Sequence, residues 1–124
     1  MTSFVWKSNY KIGHQLIDEQ HQYLFSLANT IVAAKSKSDL LKQVMLLYKY
    51  VREHFNDEEA LMQNINYPHY QSHKNEHDKL LDRMNIMSTR INCGTWDNSE
   101  IEEFMNSWLL DHILKLDMAL SKFI

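Results

Sequence analysis

At 124 residues, with two glycines, one proline and one cysteine, the chain is long enough for one buried core and too short for two domains. So little Gly and Pro leaves no turn punctuation for a many-stranded sheet, while abundant Leu, Met, Lys, Glu and Ala favour helix. A net charge of −3 with Lys and Arg scattered among acids argues against a nucleic-acid or anionic-membrane surface, and the lone Cys93 excludes an internal disulfide, a CxxC pair and a CxxCH haem attachment.

No apolar run approaches the roughly 18 residues of a membrane span, and M-T-S-F-V-W-K lacks a signal peptide's apolar stretch. The expectation is a cytoplasmic, all-α protein of one domain, residues 1–124. Residues 1–15 read as an arm in which Phe4, Val5, Trp6 and Tyr10 are available to pack and His14 is exposed. Apolar residues then recur at 3-4 spacing, the mark of packed helices. The first stripe runs Ile17, His21, Leu24, Ala28, Ile31, with Asp18 placed to start the helix. The second runs Leu40, Val44, Leu47, Val51, His54, Glu58, Leu61, Ile65, and ends at Asn66-Tyr67-Pro68. The third runs Tyr70, His73, His77, Leu80, Met84, Met87, Ile91, and breaks between Asn92 and Asn98 around Gly94. The fourth runs Met105, Leu109, His112, Leu116, Ala119, with Ser99 and Glu102 forming a capping box. Four helices over residues 16–120 joined by short loops imply antiparallel neighbours, an up-down-up-down four-helix bundle.

Every stripe carries a histidine at a core position, and the second also carries a carboxylate. A buried charge or unpaired imidazole costs several kcal/mol (about 2–7 for a neutral polar group), so a core does not hold such residues idly. Residues at i and i+4 share a helix face, so His54 with Glu58, and His73 with His77, each form a two-donor clamp. One histidine on a stripe is ordinary; two clamps on neighbouring helices, with a histidine on each remaining helix, point to metal. Imidazole and carboxylate without thiolate suit iron, zinc, copper or nickel. The set is too large for one tetrahedral zinc and suits two metals. No HExxH is present, since Phe55 follows His54 and Asp78 follows His77, and no glutamate has a histidine three residues on, as the ferritin-like pattern needs.

The runs I-D-E-Q-H-Q-Y-L-F, H-F-N-D-E-E, Y-P-H-Y-Q-S-H-K-N-E-H and W-L-L-D-H-I-L-K-L-D together resemble the hemerythrins, most closely the bacteriohemerythrins, over nearly the whole chain and including Trp6. The resemblance implies a non-haem di-iron centre with a bridging oxo or hydroxo group. His73, His77 and His112 would bind one iron, His21 and His54 the other, and Glu58 and Asp117 would bridge them. By periodicity alone Asp117 is off the stripe. Five residues at about 100° each leave it some 140° from His112, so a local distortion of the fourth helix, or its place beside Leu116 at the seam's edge, must bring it inward.

Counting bonds on that ligand set leaves the iron of His21 and His54 one ligand short, the position at which the family binds dioxygen reversibly. The residues nearest the ligands in sequence, Leu24, Phe25, Phe55, Trp108, Leu109 and Ile113, are apolar and suit a small neutral molecule; Leu109 matches a pocket position of the family. The expectation is therefore reversible dioxygen binding for storage, delivery or sensing. The alternatives are an oxygen or redox sensor acting through a protein partner, or a di-iron enzyme acting on peroxide or nitric oxide. His69 is a spare residue one turn before His73, and Cys93 a bystander thiol.

Overall fold

The computed structural model describes residues 4–124, with the side chains of Leu109 and Leu110 outside that description. Its helices are α1 (Gln15–Val32), α2 (Lys37–Asn64), α3 (Tyr70–Asn92) and α4 (Asn98–Asn106). α4 continues without a break into a π-helical segment, Ser107–Asp117, and then a short turn, Met118–Leu120. Connected by residues 33–36, 65–69 and 93–97, the four pack as an up-down-up-down antiparallel bundle with an N-terminal arm. No helix among the described residues is long and apolar enough to cross a membrane.

The helix ends follow from local chemistry. Ser36 caps α2, its hydroxyl accepting from Asp39 N–H at 3.1 Å. α4 is capped by Asp97 rather than by the expected Ser99; Asp97 Oδ1 accepts from Ser99 N–H at 2.8 Å and from its hydroxyl at 2.9 Å. Asp97 is extended (φ −130°, ψ 133°), as a cap must be, and its acceptor draws in the hydroxyl that would otherwise compete. His14 is not a free arm residue. It is half-buried and caps α1, its Nδ1 accepting from Ile17 N–H at 3.4 Å.

α2 and α3 end in the same way. Asn66 (φ 54°) and Gly94 (φ 76°) adopt the left-handed conformation. Tyr67 N–H reaches Met62 O at 2.8 Å and Asn66 N–H reaches Gln63 O at 3.2 Å; Thr95 and Gly94 repeat the pattern onto Arg90 O and Ile91 O at 2.9 and 3.1 Å. These are Schellman ends, which satisfy the last carbonyls. Behind Asn66, Tyr67 is buried against Met62, the hydrophobic contact that accompanies the motif, and Pro68 prevents continuation.

The first and third stripes are buried as expected, with Tyr70 half-exposed at the start of the third. The second turns slightly past Glu58, so that Met62 is buried where Leu61 and Ile65 were expected and those two are half-buried. The fourth departs more: Leu116 and Ala119 are half-buried, and Ile113, Asp117 and Leu120 take the core positions. The arm is held by a reciprocal pair, Phe4 N–H to Asn29 Oδ1 at 2.7 Å and Asn29 Nδ2 to Phe4 O at 2.8 Å. Asp18, in the first turn of α1, accepts from Ile12 N–H and Gly13 N–H at 2.7 and 3.2 Å, which satisfies a buried acid with backbone donors. Phe4 is buried and Trp6 and Tyr10 are half-buried against the core, but Val5 is exposed.

Gly94 has open space where a Cβ would stand, so its replacement tests backbone conformation alone. Gly94→Ala is expected to lower stability by about 1 kcal/mol, read from denaturant midpoints at unchanged slope. An unchanged midpoint would show that the α3 end does not depend on the left-handed residue.

Candidate metal centre

Seven side chains from all four helices converge in the interior: His21 from α1, His54 and Glu58 from α2, His73 and His77 from α3, and His112 and Asp117 from the π-helical segment. All are buried, His21, His54, Glu58, His77 and Asp117 completely. Every imidazole faces inward with Nε2.

The two carboxylates organise the group. Glu58 Oε1 lies 2.8 Å from His73 Nε2 and 3.1 Å from His77 Nε2, while Oε2 lies 3.6 Å from His21 Nε2 and 3.5 Å from His54 Nε2. Asp117 repeats this division, with Oδ1 2.9 Å from His73 Nε2 and 3.0 Å from His112 Nε2, and Oδ2 2.8 Å from His21 Nε2. One oxygen of each acid faces a histidine trio and the other a histidine pair. Two overlapping donor groups result, Glu58, His73, His77, His112 and Asp117 on one side and His21, His54, Glu58 and Asp117 on the other, with donor atoms in each within 4.8 Å of one another.

The π-helical segment is what brings Asp117 in. Its backbone bonds run from residue i to i+5, as from Met118 N–H to Ile113 O. An α-helix would set Asp117 about 140° from His112; the wider turn returns the chain beside the residue five back. His112 and Asp117 thereby form a clamp at five-residue spacing.

The donors fit a pair of metal ions better than they fit each other. His77 Nε2 and His112 Nε2 stand 3.1 Å apart, a separation at which two facing nitrogens need something between them or a proton on just one. His21 Nε2, His54 Nε2, His73 Nε2, Glu58 Oε2 and both Asp117 oxygens are buried and make no well-directed hydrogen bond, although they stand 2.8–3.6 Å from groups of opposite charge. Donor atoms gathered in this way mark a place for a cation.

Without one, protons must balance the charge. Burial alone would push His21 and His73 down, but Asp117 and Glu58 outweigh it and raise them to about 9 and about 10. His112 is raised against burial by Asp117 and Glu58. His54 goes the other way: burial prevails over Glu58 and lowers it to about 3. Burial also opposes ionisation of the acids, yet the surrounding histidines hold Glu58 well below the ordinary carboxylate range, and Asp117 follows with His112 and His21 outweighing both burial and Glu58.

The outer nitrogens of two histidines are also held. His77 Nδ1–H donates to Glu59 at 2.8 Å, and His54 Nδ1–H donates to Gln20 at 2.7 Å. Neither partner lies on a recognisable sequence pattern. Their only signal is adjacency, Glu59 to Glu58 and Gln20 to His21. Of the residues expected to form an apolar pocket, Leu24, Phe55, Trp108 and Ile113 are buried in one apolar cluster, and the Leu109 side chain lies outside the described residues. Phe55 stacks flat on His77 at 3.8 Å, and Trp108 contacts His54 at 6.0 Å and His112 at 5.0 Å between ring centres. Trp6 approaches His21 at 6.5 Å. Outside this wall, a groove of about 480 Å³ between α3 and the π-helical segment reaches His112, with Glu76, Arg83, Asp111 and Lys115 along its sides. His69 is exposed at the start of α3 and Cys93 is exposed at its end; neither joins the cluster.

These shifts set the pH dependence of the metal-free protein. His21 and His73 are raised, so their contribution to stability is complete below about pH 6.5 and is lost as pH rises through about 9 to 10. Glu58 and Asp117 are depressed, so theirs is present above the ordinary carboxylate range and is lost on acidification. His54 is lowered to about 3, so keeping it neutral costs stability as pH falls below about 6.5; metal-free protein is therefore expected to melt highest near about pH 6–6.5 and progressively lower toward pH 10, by calorimetry. A flat profile across the alkaline limb would show that the acids do not hold the protonated imidazoles.

The comparisons with known proteins agree with this geometry. Residues 13–124 match the family model described as the hemerythrin HHE cation-binding domain. A hemerythrin-like protein of Naegleria gruberi is 33% identical, over 93% of this chain and 88% of its own. A bacteriohemerythrin of Methylococcus capsulatus is 34% identical over 81% and 79%, and the myohemerythrin of Sipunculus nudus is 28% identical over 92% and 88%. A crystal structure of wild-type hemerythrin superposes with a TM-score of 0.86 at 29% identity, covering 96% of this chain and 95% of that one. The chain belongs to the hemerythrin family.

Proposed function

We propose that the cluster holds two iron ions and that the chain binds dioxygen reversibly beside one of them, for oxygen storage, delivery or sensing. The observation that carries this reading is the division of Glu58 and Asp117, each with one oxygen toward the histidine trio and one toward the pair. A carboxylate shared by two cations must be divided in that way. In this reading His73, His77 and His112 would hold one ion, His21 and His54 the other, and Glu58 and Asp117, with an oxo or hydroxo group, would serve both. The family match and the nitrogen and oxygen donors, without thiolate, support iron. The bound pair would supply electrons to dioxygen and recover them on release.

The chain's own residues support binding rather than turnover. The trio side offers five protein donors and the pair side four, so an open position falls to the pair. Phe55 and Trp108 pack on His54, His77 and His112, and Leu24 and Ile113 are buried in the same apolar cluster; such surroundings would admit a small neutral molecule and keep out the water and protons that promote loss of the ferrous state. The same reading treats residues 1–124 as one domain; the arm's pairing with Asn29 supports it.

Protein produced with ample iron should contain two irons per chain, and its optical spectrum should change on admitting air to an anaerobic sample and revert on removing oxygen. One metal per chain, or mainly zinc, would defeat the proposal. The wall is tested separately. Leu24→Ala should retain both irons, lower stability by about 2–4 kcal/mol and decay to the ferric state several-fold faster. Unchanged decay with both irons present would show that Leu24 only packs.

A further inference from the structure

His54 and His77 have their outer nitrogens held by chemically different partners. For His77 the acceptor is a carboxylate, Glu59 Oε2, at 2.8 Å. For His54 it is the carbonyl oxygen of a buried carboxamide, Gln20 Oε1, at 2.7 Å, and the other end of that amide, Nε2, donates to Asp57 Oδ2 at 2.7 Å. Gln20 reaches from α1 across to α2 and there joins a histidine to an acid one turn further on.

The order of these three groups has a chemical consequence. A carboxamide is ambivalent, and either end could face an imidazole. A carboxylate only accepts, so the exposed Asp57 obliges Gln20 to turn its NH₂ outward and its oxygen inward. That oxygen only accepts as well, so the proton of a neutral His54 must sit on Nδ1. Its Nε2 is then left as a lone pair facing the cluster, 3.5 Å from Glu58 Oε2. Remove the constraint, and Glu58 is placed to draw the proton onto Nε2, the form that cannot bind a cation there.

We propose that Gln20 and Asp57 are positioning residues: Asp57 orients the Gln20 amide, and the amide locks His54 in the tautomer that presents Nε2 to a metal, while leaving this ligand with a neutral partner where His77 has a charged one. The inference rests on the di-iron reading for its purpose. The tautomer itself is a property of the metal-free chain. The pair side, which in that reading would keep the open position, thus has the less electron-rich of these two imidazoles, since a carboxylate acceptor raises the basicity of its histidine more than an amide does.

The full chain allows the two levels to be tested apart. In metal-free protein at neutral pH, imidazole nitrogen NMR should find the His54 proton on Nδ1. Gln20→Leu should move it wholly or partly to Nε2. Asp57→Asn should do so partially, because an asparagine carboxamide both donates and accepts and no longer dictates the orientation of Gln20. With ferrous ion added anaerobically, Gln20→Leu should weaken one of the two sites by about 10–100-fold and leave the other. The double variant Gln20→Glu with Asp57→Asn moves the charge inward while keeping an acceptor for His54 and a donor for the new carboxylate. It should restore the tautomer and the affinity, and lower the midpoint potential of the metal pair. An Nδ1 proton and wild-type affinity retained in Gln20→Leu would overturn the lock, as would a double variant that restores neither. A wild-type chain binding fewer than two ions would overturn the di-iron reading, and the purpose of the lock with it, whatever tautomer the NMR finds.

Discussion

Two fully buried carboxylates must be compensated from within the bundle, and most of this structure follows from that. Glu58 and Asp117 have no solvent exposure, and an uncompensated charge at such depth costs several kcal/mol even after relaxation. No lysine or arginine reaches them among the described ion pairs; their neighbours are five imidazoles. Since an imidazole can be neutral or charged, the cluster can balance the two acids with protons, and the same nitrogens are the ones that could hold a cation instead. The polar layer also divides the apolar core. A large cluster runs from Phe4 and Leu24 to Met105 and Ile113, and a smaller one at the other end gathers Ile12, Ile17, Met62, Tyr67 and Leu120. Between them Glu58 and Asp117 tie residues of all four helices together through the histidines they face.

That convergence explains the irregular fourth helix. A regular α-helix carrying His112 inward would turn Asp117 toward a neighbouring seam. Widening the turn over Ser107–Asp117 puts both on the cluster, and Ile113 and Leu120 replace Leu116 and Ala119 in the core. π-helical backbone is uncommon and concentrates at functional sites. Here it aligns one carboxylate with two groups of histidines at once.

The sequence reads well where side-chain period decides position, and poorly where a neighbouring helix decides it. His54 with Glu58 and His73 with His77 are visible because regular α-helix puts residues four apart on one face. The bundle's loops are visible because Asn66, Pro68 and Gly94 have strong local conformational preferences. Asp117 defeats the same arithmetic, and came from the resemblance, because no residue in W-L-L-D-H-I-L-K-L-D announces a change of helical pitch. The shift from Leu61 to Met62, one residue, is within the slack that two adjacent apolar side chains allow. Gln20, Asp57 and Glu59 look like an ordinary solvated face, since their partners lie on another helix or are set by the tilt of a ring. Asp97 and Ser99 are both good caps, and only backbone conformation, which the sequence does not show, chooses between them.

The unequal division of donors has a simple origin in the helices. α2, α3 and the fourth helix each contribute two ligand-type residues, whereas α1 contributes His21 alone. The positions one turn to either side of His21 are Ile17 and Phe25, both buried, and Phe25 is packed edge-on by Trp6 from the arm at 5.2 Å between ring centres. Apolar bulk therefore stands where an eighth donor would have completed the pair side. In the proposed reading the open position is thus a consequence of what α1 omits. The arm that packs over Phe25, clamped by Asp18 and paired to Asn29, would in that reading form part of the site's cover.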